Sequence, residues 1–320
     1  MPHRLRLYIS YASDINNSNS SFTYFRFFMV MDFAALQAFL AVAETGSFSR
    51  GAERIYLTQP AISKRIAALE KSVDARLFDR IGRRVQLTEA GRALLERSRA
   101  ILNELEDARR SLANLSGEIR GALSLATSHH IGLHRIPRTL KQFHARYPQV
   151  RLDLRFMDSE QACHAVVRGE LELAVVTLPP APIAQLRCEH VWHDPLDVVV
   201  SPSHALAAQR AILVRTLLQY PAILPGQGTY TREIILKALG AARGKVNVDM
   251  TTNYLEVLKM LVSIGLGWTA LPRTMIDDDL KVVQIKNMKK IQRELGVVTH
   301  AKRTLSNAGD AMVRMIRATA

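Results

Sequence analysis

Two short stretches of this 320-residue chain put potentially reactive side chains next to one another. One is Thr127-Ser128-His129-His130 and the other is Gly226-Gln227-Gly228-Thr229-Tyr230. A serine beside a histidine invites a nucleophile with its base. Neighbours in sequence rarely aim at each other, however, and no Gly-x-Ser-x-Gly elbow is present to expose the hydroxyl. A phosphate-cradling glycine loop ending in Lys-Ser/Thr is missing as well, so an enzyme is not expected. His130 and His134 stand four apart on an expected helix, the spacing of a metal pair. No Glu lies between them as in His-Glu-x-x-His, and the sequence shows no further ligand nearby. They read as surface or satisfied core histidines, with no metal and no cofactor. What the two stretches share is position: each follows an expected strand and opens a helix, where ligands of α/β sheets bind and anions are favoured. Thr127, Ser128, His129, Gly228 and Thr229, with Thr177 just past another strand, are therefore candidate contacts for a small, anionic effector.

A different chemistry is written nearer the N-terminus, in Leu57-Thr58-Gln59-Pro60-Ala61-Ile62-Ser63-Lys64-Arg65-Ile66. Thr58 is a natural N-cap, and Pro60 sits in the first turn, where its missing N–H costs nothing. Ile62, Ile66 and Leu69 make one apolar face. Gln59, Pro60, Ser63, Lys64 and Ala67 lie opposite, short or hydrogen-bonding side chains that fit a groove. Ser47 caps a preceding short helix, Phe48 to Ile55, and the tight turn between the two gives a helix-turn-helix. Downstream, Gly82-Arg83 turns a small hairpin with Arg80, Arg83 and Arg84 at its tip, suited to phosphate or minor-groove contact. Between Arg50 and Arg84 nine Lys/Arg face four acids, a local +5 within a chain of net charge +14 and pI about 10.1. Such a balance favours a polyanionic partner.

The elements that must hold these residues follow from periodicity. Met31 to Glu44 is an amphipathic helix (Phe33, Leu36, Phe39, Leu40, Ala43) that backs the reading pair. Thr88 caps a long helix to about Leu115, on which Leu94, Ile101, Leu105, Ala108 and Leu112 form a coiled-coil seam with Ser98 weakening one layer. Ser116-Gly117 and Gly121 supply a hinge. Beyond it come strand Leu123–Ala126, a helical stretch to Arg146, strand Val150–Met157, helix Glu160–Arg168 and strand Leu171–Val176, a parallel α/β sheet. After a Pro-rich turn the pattern resumes with strands Asp197–Val200 and Pro221–Leu224, helix Thr231–Leu239, strand Lys245–Met250, helix Asn253–Ile264 and strand Gly267–Leu271. A strand, Leu295–His300, and a helix, Ser306–Ala318, end the chain. Two lobes with a cleft between them are expected. Lys281, Lys286, Lys289, Lys290 and Arg293 read as a solvated basic face. Cys163 and Cys188 lack metal spacing and read as buried reduced thiols of a cytoplasmic protein. No apolar run spans a membrane. Residues 1–30 differ in composition and read as a non-native or disordered extension ahead of the natural start.

Taken in order, Glu44-Thr45-Gly46-Ser47-Phe48-Ser49, Leu57 to Ser63, Leu69-Glu70, Leu77-Phe78-Asp79-Arg80 and Leu87-Thr88-Glu89-Ala90-Gly91 resemble the winged-helix signature of LysR-type transcriptional regulators. Arg146-Tyr147-Pro148 and Gly265-Leu266-Gly267 resemble that family's effector part, itself similar to periplasmic binding proteins. The likeness runs from Met31 to the C-terminus. Gly51 replaces a usual alanine, which loosens the second helix slightly; Asp74 replaces a usual turn glycine, where Asp tolerates left-handed geometry. The resemblance implies a winged helix-turn-helix domain (31–88), a linker and dimerisation helix (89–120) and a two-lobed α/β effector-binding domain (121–320). It further implies a homodimer or dimer of dimers on an interrupted inverted repeat of promoter DNA, with RNA polymerase as a further contact and a small metabolite in the cleft. By matching position, Gln59, Pro60, Ser63 and Lys64 enter the major groove, while Ser47 and Ser49 lie near phosphates.

Overall fold

A computed structural model describes residues 32–81 and 84–319. The expected extension 1–30 and Arg83 lie outside these residues. The chain divides into two compact units, 1–108 and 109–320.

In the first unit, helices α1 (Phe33–Thr45), α2 (Phe48–Arg54) and α3 (Gln59–Ser72) precede an antiparallel hairpin of β1 (Phe78–Ile81) and β2 (Arg84–Leu87). Asp32 accepts the Ala35 N–H at 2.6 Å to start α1, and Gly46, at φ +61°, ends it. Apolar residues at helical spacing then do what their period requires. Ala35, Ala38, Phe39 and Val42 of α1 bury against Ile62, Ile66 and Leu69 of α3. The Phe78 ring closes the stack, 5.3 Å from Phe39 and 5.7 Å from Phe48. Gly51 is buried where α2 meets α1, and a methyl there would stand 2.9 Å from the Val42 side chain. The glycine therefore permits a close helix approach that offsets its poor helix propensity. Asp74 does adopt left-handed geometry, at φ +47°.

Thr88 accepts the Gly91 N–H at 3.0 Å and begins α4 (Glu89–Asn114). Its first turns close the winged domain, since Leu94 packs on the three-helix core and Ser98 is buried. Leu94 thus serves its own domain, and the stripe left for a partner starts at Ile101. There Ile101 is 41% exposed and Leu112 69%, with Ala108 exposed and Leu105 half-buried.

The second unit builds on β3 (Gly121–Thr127), β4 (Val150–Phe156) and β5 (Leu173–Thr177), which run parallel. Between them lie α5 (His129–His134), α6 (Pro137–Arg146) and α7 (Ser159–Arg168). The single helical stretch expected before Arg146 is two helices, broken at Arg135–Ile136, where Pro137 has no N–H to continue the ladder of the first helix and instead takes the first position of the second. The next strand, β6, runs from Leu186 to Val200, far longer than the expected Asp197–Val200. After it come β7 (Ile212–Leu213), α8 (Val214–Leu217), β8 (Ala222–Leu224), α9 (Tyr230–Ala238), β9 (Val248–Thr251), α10 (Leu255–Ser263), β10 (Thr269–Pro272), β11 (Lys281–Val282) and β12 (Ile285–Lys286). Strand β13 (Ile291–His300) and helix α11 (Asn307–Ala318) finish the unit. The main sheet has the order β10-β6-β13-β5-β3-β4 and is mixed, because β13 runs antiparallel to both β5 and β6.

Strands β6 and β13 belong to both lobes. Leu295 and Val297 pack into the core under β3 and β5, whereas Leu196, Val198 and Ile291 pack into the core that holds Leu224, Ile235 and Trp268. Their ladder shifts register at Leu295/Gly296, a bulge that bends the pair. Only glycine fits at 296, since a Cβ would lie 2.0 Å from the Glu189 carbonyl oxygen. Cys163 is buried, and burial pushes its thiol up to about 12. Cys188 is exposed, contrary to expectation, because the first half of β6 has β13 as its one sheet neighbour.

Candidate functional sites

In the winged domain, α3 presents two faces. Ile62, Ile66 and Leu69 are buried, while Gln59, Pro60 and Lys64 are exposed and Ser63 is half-buried. Thr58 caps the helix by accepting the Ala61 N–H, and Gln59 donates to the Ser63 hydroxyl at 3.0 Å, ordering two of the expected contacts side by side. Glu70 accepts the N–H groups of Leu77 (2.7 Å) and Phe78 (3.3 Å), which fixes the hairpin to α3. Ser47 caps α2 and Ser49 is exposed in its first turn. Arg80 and Arg84 occupy the two strands of the hairpin.

In the second unit a cleft of about 40 Å³ lies between the lobes. Ser128, His129 and Thr177 line it from one lobe and Thr229 from the other, as expected. Thr127 does not: its hydroxyl is buried and donates to the Val175 carbonyl at 2.9 Å, tying β3 to β5. Gly228 does not line it either, because the turn at φ +85° carries it to the outer side, where Gln227 and Arg243 lie. Several contacts cross the cleft. Asn253 donates to Asp158 at 2.6 Å, the Tyr230 N–H donates to Glu160, and the rings of His129 and Tyr254 meet edge-on at 4.6 Å. Burial raises the Glu160 carboxyl above its ordinary range, and the Tyr230 N–H opposes that shift.

The floor of the cleft holds a group the sequence did not single out. Arg293, on β13, is 4% exposed rather than part of a solvated basic face. Its Nε donates to Asp194 at 2.9 Å, and its Nη1 donates to Thr231 at 3.3 Å. Asp194, on β6, also accepts from Arg135 at 3.2 Å. Two guanidinium groups on one carboxylate leave one positive charge over at the cleft floor. Beside it, His130 is 4% exposed, and neither ring nitrogen has a hydrogen-bond partner. Burial, helped by Arg293, pushes this imidazole down to about 4. From the other lobe Glu256 reaches the same helix, 3.2 Å from His134 Nε2 and 3.7 Å from His130 Nδ1.

The two units thus define a class: a DNA reader joined to a ligand-binding α/β module. Residues 33–92 match the family model for bacterial regulatory helix-turn-helix proteins of the lysR family, and residues 116–320 match the LysR substrate binding domain. This chain belongs to the LysR family of transcriptional regulators. An uncharacterized HTH-type transcriptional regulator of Azotobacter vinelandii, from the ibpB-leuC intergenic region, is 68% identical over 107 residues, 33% of this chain and 74% of that protein. The transcriptional activator CmpR of a Synechocystis strain is 32% identical over 231 residues, 72% of this chain and 75% of CmpR. Full-length CbnR, solved in complex with its target DNA, has the same fold at a TM-score of 0.59 and 21% identity, covering 91% of this chain and 100% of CbnR. Among the described residues no helix is long and apolar enough to cross a membrane.

Proposed function

We propose that this regulator binds an interrupted inverted repeat in promoter DNA as a homodimer or a dimer of dimers, in the cytoplasm and within reach of RNA polymerase. Gln59, Pro60, Ser63 and Lys64 read the major groove, Ser47 and Ser49 sit near phosphates, and Arg80, Arg83 and Arg84 hold the flanking backbone. The observation that carries the reading is the division of α3 into a fully buried aliphatic face and an exposed polar one. CbnR, of the same fold, is solved on its target DNA, and the seam from Ile101 to Leu112 offers the pairing surface. A small anionic metabolite enters the cleft, where the Ser128, Thr177 and Thr229 hydroxyls and the surplus charge at Arg293 receive it.

Fluorescence anisotropy on a dyad-symmetric operator tests the reader. Ser63→Ala and Lys64→Ala should each lose about 1–3 kcal/mol of discrimination, with dimerisation intact; unchanged binding in both refutes the assignment. Calorimetric titration with carboxylate and phosphate metabolites tests the cleft. Binding that survives Ser128→Ala combined with Thr229→Ala would place the effector elsewhere.

A further inference from the structure

The histidine pair on α5 has a third member in the fold. His130 and His134 project from one side of the helix, their rings 4.8 Å apart, and Glu256 comes to them from α10 in the opposite lobe. One ligand atom from each lies within 4.8 Å of the others. Zinc-type ions hold imidazole nitrogens and carboxylate oxygens at about 2.0–2.2 Å, which puts ligand atoms roughly 3.3 Å apart. Glu256 Oε1 is 3.2 Å from His134 Nε2 and 3.7 Å from His130 Nδ1, so small side-chain adjustments complete the set. An exposed ion pair explains His134 and Glu256 but does nothing for His130. A buried imidazole with both nitrogens unpartnered costs free energy that a ligand removes.

We propose that His130, His134 and Glu256 bind a divalent transition metal ion of the zinc, cobalt or nickel type, in which water completes the coordination. Two imidazoles and one carboxylate suit these ions better than calcium or magnesium, which take oxygen ligands. His134 is 49% exposed and Glu256 39%, so solvent and ion reach the site. Because the ligands come from both lobes, the ion clamps the lobes together. His130 also lines the cleft beside Arg293, but the metal site uses none of the hydroxyls proposed to hold the effector and does not require that effector.

The test uses tag-free, full-length protein freed of metal by chelation. Cobalt(II) titration should give one bound equivalent per chain, with visible absorption of a four- or five-coordinate nitrogen–oxygen site. His134→Ala and Glu256→Gln, both at accessible positions, should keep the metal-free melting temperature and lose more than about tenfold in affinity. At roughly 100 times Kd, zinc should raise the melting temperature of the wild-type chain by about 5–10 °C. The same addition should leave both variants unmoved. A second His-His-Glu group, His190, His193 and Glu294, lies exposed on the β6–β13 pair. His193→Ala is therefore the control and should bind like wild type. No binding, binding unchanged in both test variants, or binding lost in His193→Ala and kept in His134→Ala would each overturn the proposal.

Discussion

The charge triad at the cleft floor yields a prediction whose size follows from its geometry. Asp194 is 1% exposed and bonds Arg293, itself 4% exposed, as well as Arg135, whose side chain is 25% exposed. Asp194→Ala deletes the one anion and leaves two cations facing each other, one fully buried. Breaking a buried pair in this way costs about 3–5 kcal/mol. Arg293→Met should cost less, roughly 1–3 kcal/mol, because Asp194 keeps Arg135 as a partner. The double variant then decides the matter. With Arg293 also gone, only the partly exposed Arg135 lacks a partner, so Asp194→Ala with Arg293→Met should be more stable than Asp194→Ala alone, by about 1–2 kcal/mol. Urea unfolding followed by tryptophan fluorescence measures this cleanly, since Trp192 and Trp268 are the only tryptophans and both lie in the second unit. The midpoint should move at constant m-value. If Asp194→Ala costs under about 1 kcal/mol, or if the double variant loses the sum of the singles, the triad is not an energetic unit.

Two further outcomes are expected. Glu172 is buried, accepts the Ser306 N–H at 2.6 Å and its hydroxyl at 2.8 Å, and has its carboxyl raised by burial. A raised carboxyl favours folding below its unfolded value and loses that advantage as pH rises through the folded one. Ser306→Ala removes both the α11 cap and one donor to the ionised form. It should therefore cost about 1 kcal/mol at pH 4.5 and about 1 kcal/mol more at pH 8; equal losses at both pH values in urea unfolding would refute the link. On α4, Ile101→Glu with Leu112→Glu should convert the proposed dimer to monomer in sedimentation velocity while leaving the circular dichroism of the fold intact. An unchanged sedimentation coefficient would place the pairing surface elsewhere.

The reading helix was legible because its information is local. Thr58, Pro60 and the Ile62/Ile66/Leu69 spacing set the start, the first turn and the buried face within a dozen positions. The alternation of strands and helices after Gly121 was legible for the same reason. The long β6 was not, because Pro195 and the polar run His193-Asp194 look like a break. In the fold Pro195 lies opposite Gln292, just before pairing with β10 begins at Leu196, so the strand tolerates it. Half of the cleft was hidden for a related reason. Arg293 finds Asp194 across 99 positions of chain, and Glu256 finds His134 across 122, pairings that only topology creates. Thr127 misled because a residue at the carboxyl end of a strand can satisfy its hydroxyl on the neighbouring strand instead of facing the ligand.

The shared strands have a mechanical corollary. A lobe that turns must wring the β6–β13 ribbon, and the Gly296 kink is where that ribbon yields most easily. Past His300 the same ribbon leads into α11, whose first residue clasps the end of the linker: the Asn307 N–H donates to Asn114 at 2.9 Å, and Asn114 donates back to Leu305 at 2.9 Å. The route from the cleft floor to the last turn of the linker helix therefore passes through that kink and is closed at its far end by these hydrogen bonds.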